Sequence, residues 1–109
     1  MQSIYIEVNT INCKSNKLIF INPVPDPNNP DHYLPSLPIK IIDSAINAGE
    51  IIVIRANGFD ITFENTNNIY LTNRTSFSLS NGEIASFIKI DIGNNNETYQ
   101  LLSFTKTTP

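Results

Sequence analysis

Apolar and polar residues alternate along much of this chain with a period of two, the pattern of strands that bury one face. Ser3 to Val8 sets Ile4 and Ile6 on one face and Tyr5 and Glu7 on the other, and reads as a short strand. The polar run Asn9 to Asn16, broken by Ile11, reads as a loop. Lys17 to Ile21 (KLIFI) is a continuous apolar run, short enough for a strand buried on both sides. Further on, Ile51 to Ala56 and Phe59 to Glu64 flank Asn57-Gly58, a dipeptide suited to a two-residue hairpin turn because both of its residues tolerate positive φ. Pairing outward from that turn opposes Ala56 to Phe59, Ile54 to Ile61 and Ile52 to Phe63 on an apolar side, with Arg55 and Asp60 paired on the other.

The same arithmetic across Asn81-Gly82 opposes Leu79 to Ile84 and continues the buried side through Ile88, Ile90 and Ile92, leaving Lys89 and Asp91 outside. Gly93 to Asn96 then forms a four-residue turn that opposes Ile90 to Tyr99, Ile88 to Leu101 and Lys89 to Gln100. All four glycines fall at predicted turns, and no stretch sustains an apolar i, i+3, i+4 pattern; Asp43 to Gly49 holds at most one helical turn. The predicted class is all-β: an antiparallel β-meander of roughly eight strands, at the ~8–12 residue spacing of sandwiches and barrels, forming a small jelly-roll-like sandwich or barrel.

Between these regions the texture changes. Asn22 to Pro38 reads NPVPDPNNPDHYLPSLP and holds six of the seven prolines. Each proline fixes its own φ and removes a ladder donor, so the stretch is predicted to be extended and non-sheet. Its Pro35-Ser36-Leu37-Pro38 loosely matches the PxxP core of an SH3-type ligand. The simpler reading is a stiff arm that crosses a surface or a neighbouring subunit, with Val24, Tyr33, Leu34 and Leu37 as anchors. The chain divides accordingly into residues 1–38, N-terminal strands plus proline-rich arm, and residues 39–109, the meander, within one structural unit.

Composition narrows the chemistry. With 109 residues the chain has room for one core. Charged residues make up only 16%, and a net charge of -3 supplies no basic footprint, so nucleic acid is not an expected partner. No apolar run reaches the ~18 residues of a membrane helix, and the first residues lack a secretory pattern, so neither membrane anchoring nor export is expected. Sixteen asparagines and eighteen isoleucines against four alanines favour turn and strand over helix. The single cysteine, Cys13, excludes an internal disulfide and reads as a small buried or incidental residue.

The one histidine, His32, stands in the proline arm beside Asp31, far from any nucleophile-and-base spacing. Asp26, Asp31 and His32 lack the alternating oxygen ligands of a calcium loop. Asp60, Glu64 and Asp91 fall on predicted outward faces, and Glu83 and Glu97 flank turns, so no carboxylate pair for hydrolysis is indicated. The sequons at Asn73 and Asn96 read as coincidence in an Asn- and Thr-rich chain, and no phosphate-cradling glycine motif occurs. No catalytic residue, cofactor or metal site is expected.

One excess remains. Ile51 and Val53 point away from Ile52 and Ile54, and Phe87, Leu102 and Phe104 fall on the predicted exterior. Apolar residues on both strand faces call for a second sheet or for other subunits, and these five residues join the arm anchors as the candidate subunit or capsid interface.

From about Ile42 to Phe104 the chain resembles a recurring β-structured module of tailed-bacteriophage virion proteins. The phrases that carry this are Ile42-Asp43 running to Ala48-Gly49, the strand pair around Asn57-Gly58, Asn65-Thr66-Asn67-Asn68-Ile69-Tyr70-Leu71, Phe77-Ser78-Leu79-Ser80-Asn81-Gly82, and the hydrophobic strands Ile84 to Ile92 and Thr98 to Phe104. Such modules often end on a tryptophan-bearing strand; this chain has no Trp and places Tyr99 there. The resemblance implies a non-enzymatic part of a head fibre, tail fibre or capsid decoration, made in the host cytoplasm and resident in the virion. The implied partners are further copies of the chain in a homotrimer, the major capsid protein or another virion protein, and a host surface glycan. A carbohydrate- or receptor-binding β-domain, using exposed Tyr and Asn side chains, is the alternative of a different class.

Overall fold

A computed structural model of the chain describes residues 2–5, 9–14, 17–34, 38–91 and 97–105, and these form an all-β sandwich with no helix among them. Twelve strands follow in order: β1 (Gln2–Tyr5), β2 (Thr10–Lys14), β3 (Leu18–Asn22), β4 (Pro25–Asp26), β5 (Asn29–Tyr33), β6 (Ile41–Ser44), β7 (Ile51–Ala56), β8 (Ile61–Glu64), β9 (Ile69–Tyr70), β10 (Ser76–Leu79), β11 (Ile84–Asp91) and β12 (Glu97–Phe104). One layer is a six-stranded mixed sheet in the order β1-β3-β7-β11-β12-β9. Its β1–β3, β3–β7 and β12–β9 pairs are parallel; β7–β11 and β11–β12 are antiparallel. The opposing layer sets β10 antiparallel to β8, bridges β8 through Phe63 to Ile39, and continues from Ile39 into β6, which pairs in parallel with β2.

The core lies between these layers. The six-stranded sheet contributes Ile19, Ile21, Ile52, Ile54, Phe87 and Tyr99, and the second layer Ile11, Ile42, Ile61, Phe63 and Leu79, all essentially inaccessible to solvent. The Phe63 and Phe87 rings meet across the gap with centroids 5.1 Å apart. Aromatic contacts at this distance add specific geometry to the area they bury, which fixes how the layers face one another.

The predicted burial faces of β7, β8 and β10 hold, yet their partners differ. β7 pairs with β3 and β11, whereas β8 pairs with β10, opposing Phe63 to Phe77 and Ile61 to Leu79. Asn57-Gly58 and Asn81-Gly82 are therefore corners between layers and not hairpin turns. Positive φ is still required there, at 96° for Gly58 and 87° for Gly82, because the chain must reverse sharply while keeping its apolar side inward. The expected Arg55–Asp60 pair does not form: Arg55 lies opposite Ile84 and stacks over Phe20 at 5.4 Å, while Asp60 accepts the Asn81 N–H.

In the β11–β12 hairpin the register is one residue from the expected one. Lys89 opposes Tyr99 and Phe87 opposes Leu101, so Ala85, Phe87 and Lys89 face the core and Ile84, Ile88 and Ile90 are half-buried on the other side. Ile92, also assigned to the core side, lies outside the described residues. A one-residue slip exchanges the two faces of a strand, and this one moves Phe87 from the predicted exterior into the core. A bulge between Ser86 and Phe87 leaves Leu102 as the extra residue of β12. Phe104 is likewise no exterior residue: it packs on the core, 4.6 Å from the Phe77 ring.

Three further expectations are corrected. The polar stretch read as a loop contains β2, with Ile11 and Cys13 buried. The proline segment contains an antiparallel hairpin, β4–β5, in which Pro25 opposes Tyr33 and the Leu34 N–H reaches Val24 O at 2.8 Å. Its turn places Pro27 after Asp26, whose Oδ1 accepts the Asn28 N–H at 2.9 Å; Asp and Pro suit these positions because one accepts locally and the other presets φ. KLIFI is buried on one side only, through Ile19 and Ile21, while Leu18 is 39% exposed.

The asparagine-rich phrase has a structural cause. Asn68 accepts the Ile42 N–H at 2.6 Å and donates to Glu97 O at 3.2 Å, tying the second layer to the first, and Asn65 accepts the Leu71 N–H at 3.0 Å. An amide can donate and accept at once, which a carboxylate or hydroxymethyl of the same reach cannot do as evenly.

Candidate interaction surface

The outer face of the six-stranded sheet carries the candidate site. Its rows follow from register. Ile51, Ile88, Gln100 and Tyr70 stand side by side across four strands; Leu18, Val53 and Ser86 form the next row, and Phe20, Arg55 and Ile84 the one after. Leu18, Ile51, Tyr70 and the bulge residue Leu102 are each about two-fifths to one-half exposed, at 39%, 43%, 43% and 49%. Within the described strands of this face the one charged side chain is Arg55, and Phe20 covers its guanidinium. A solvated sheet face ordinarily alternates to polar residues; here Ile51, Val53, Ile84, Ile88 and Ile90 occupy its two central strands, with Ser86 the one polar side chain there besides Arg55.

Of the sequence-predicted interface residues, Ile51, Val53 and Leu102 lie on the accessible surface or half-buried, and Phe87 and Phe104 belong to the core. Val24 is half-buried at the base of the β4–β5 hairpin, and Tyr33 and Leu34, on the facing strand at the same base, are 61% and 43% exposed. Leu37 lies outside the described residues. Leu18, Phe20, Tyr70 and Ile88 were not singled out. Their signal was the unbroken KLIFI run and the isoleucines at positions 84, 88 and 90 on one face of β11, which without the partner strands cannot be assigned to core or exterior.

One buried polar cluster lies between the layers at the opposite face of the same sheet. Lys89, 4% exposed, donates to Ile46 O at 2.6 Å and Ser44 O at 3.3 Å and pairs with Glu97 at 3.2 Å. Burial works to lower its pKa, but hydrogen bonding to Glu97 and the nearby Tyr99 prevail and hold it above the ordinary lysine value. All three ammonium protons are thus committed, and the group braces β6 against β11 and β12 as a cation. The Tyr99 hydroxyl shares a 2.5 Å hydrogen bond with Ser44 Oγ, and burial raises its pKa. His32 and Asp31 are exposed on β5, and Asp26 is engaged in its own turn. Among the described residues no group of three or more His, Cys, Asp and Glu converges as a metal site, and no helix is long and apolar enough to cross a membrane.

Cys13, beside this cluster, has its thiol pushed up to about 11 by burial in the first place, with the Asp43 charge adding to it. An unfolded thiol ionises near ~8.5. Between these values the folded chain keeps a proton the unfolded chain has lost, so the contribution is fully present below the unfolded pKa and declines as pH rises. Stability should fall by roughly 1–2 kcal/mol between pH 8 and pH 10 through this residue. Urea titrations should show a distinctly shallower fall in Cys13→Ala, and an identical fall in the two proteins would refute the assignment.

Comparison of the chain with protein families, with curated proteins and with solved structures finds no match.

Proposed function

We propose that this chain is a non-enzymatic structural subunit of a bacteriophage virion, a homotrimeric capsid decoration or fibre head whose copies meet through the outer face of the six-stranded sheet. The observation that carries the reading is that face: Leu18, Phe20, Ile51, Val53, Ile84 and Ile88, interrupted by Ser86 and Gln100 and bearing a single, aromatic-covered cation in its described strands. An aliphatic face without free charge is complementary to another copy of itself and poorly matched to nucleic acid or to a strongly charged partner. Burial of it among copies also removes an exposed apolar patch that a monomer would present to water. The sequence phrases shared with phage virion modules supply the biological setting. The β4–β5 hairpin, with Tyr33 and Leu34 exposed at its base, is the segment we assign to contact with the capsid or a neighbouring subunit.

Immunogold electron microscopy with an antibody to this chain, on phage particles from a culture that produces it, tests the assignment. Regular label on the capsid or on fibres is expected. Unlabelled particles, or saturable sugar binding by the isolated chain on a glycan array, would favour the carbohydrate-binding reading instead.

A further inference from the structure

The two Asn-Gly corners are interlocked. Gly58 N–H donates to Asn81 Oδ1 at 2.6 Å, Gly82 N–H donates to Ala56 O at 2.8 Å, and Asn57 N–H donates to Ile21 O at 2.9 Å. Asn57 Nδ2 donates to Asn22 Oδ1 at 2.6 Å, and the Asn81 N–H is held by Asp60 at 3.1 Å. Asn-Gly is also the dipeptide in which the following backbone nitrogen most readily attacks the asparagine side-chain carbon, since glycine has no Cβ to hinder the approach. Here both attacking nitrogens are occupied as donors. The acceptor of the first is the side-chain amide that would be attacked in the second.

We propose that Asn57-Gly58 and Asn81-Gly82 form a paired deamidation site whose halves hold each other closed in the folded chain. When the corner opens, Gly58 N gives its proton to solvent and bonds to Asn57 Cγ while the Cγ–Nδ2 bond breaks, and the leaving nitrogen takes up a proton from solvent and departs as ammonia. Water then opens the five-membered imide to aspartate or isoaspartate. The net change is one amide exchanged for one carboxyl, with no oxidant or reductant. Isoaspartate at either corner lengthens the backbone by one methylene and shifts the groups that hold the other, so the second conversion follows the first. The pair therefore acts as an irreversible record of opening, built where β3, β7, β8, β10 and β11 converge.

The test is peptide mass spectrometry of the full chain kept in mildly alkaline buffer, native and in denaturing urea, reading the mass gain of amide-to-carboxyl conversion at each site. Native protein should convert more than roughly tenfold more slowly at both sites, because the reaction waits on opening. In folded Asn81→Ala, which frees the Gly58 N–H, conversion at Asn57 should quicken roughly two- to tenfold, the effect of one hydrogen bond. Equal native and urea rates at Asn57 would overturn the proposal, as would an unchanged Asn57 rate in a variant shown by circular dichroism to be folded. Should that variant fail to fold, the native-against-urea comparison in the unaltered chain still decides.

Discussion

Phe87→Ala is expected to lower the stability of the folded chain by about 3–5 kcal/mol, whereas Ile88→Ala should cost about 1 kcal/mol or less. The two residues are neighbours on β11, and the expected ratio rests on the register of that strand. Phe87 opposes Ile52 and Leu101 and packs 5.1 Å from Phe63 at the centre of the sandwich. Phe63 in turn lies 6.4 Å from Phe77, which stands 4.6 Å from Phe104. Removing the Phe87 ring opens a cavity where two stiff sheets meet, and sheets collapse poorly into a void. Against a total stability of order 5–15 kcal/mol, the loss should lower the melting temperature by ~12 °C or more. Ile88 is half-buried on the outer face, so truncation there removes little from the core. Urea titration at a protein concentration low enough to dissociate any assembly provides the comparison. Equal losses, or a larger one for Ile88→Ala, would return the strand to the register read from the sequence.

The second large effect is expected on assembly. Ile51→Asp should convert the proposed trimer to monomers while leaving the isolated fold within ~1 kcal/mol of the parent. Ile51 is 43% exposed in the single chain, so its carboxylate substitute stays hydrated there. Between copies it would be buried beside Ile88 without a cation, since Arg55 is already engaged by Phe20. Burying an unpaired carboxylate costs several kcal/mol for each subunit, enough to reverse association at micromolar concentration. Asn73→Asp, in the exposed turn between β9 and β10, adds the same charge outside the rows of that face and should leave the mass unchanged. Dissociation by both substitutions would point to charge repulsion in place of a buried face.

The faces of β7, β8 and β10 were legible because period-two alternation is local: each strand declares its inward side whichever partner it takes. Partner choice was not. An Asn-Gly step with positive φ serves a hairpin or a corner between layers, and Ile54 can be matched on paper with Ile61 although in the fold it pairs with Ala85 and Ile19. The parallel pairs β1–β3, β3–β7 and β2–β6 join segments far apart in sequence without a local cue.

For β11 the alternation itself was ambiguous. Isoleucines at positions 84, 88 and 90 oppose an inward set that includes a lysine. Lys89 points inward because the carbonyls of Ser44 and Ile46 and the Glu97 carboxylate await it there, a reason only tertiary structure supplies. The last pair of the hairpin is Asp91 with Glu97, leaving five residues in the connection where four were expected; that one residue inverted the face. The candidate surface was legible in part. Ile51 and Val53 stood out because β7 is apolar at every position from Ile51 to Ile54, while Leu18, Phe20 and Tyr70 became visible only once register aligned them with Val53, Arg55 and Gln100.

Sedimentation equilibrium of the unaltered chain at micromolar concentration tests the central claim most directly, that the outer face of the six-stranded sheet joins copies of this protein. A mass three times that of the 12.2 kDa chain is predicted. A stable, well-folded monomer at that concentration would contradict it.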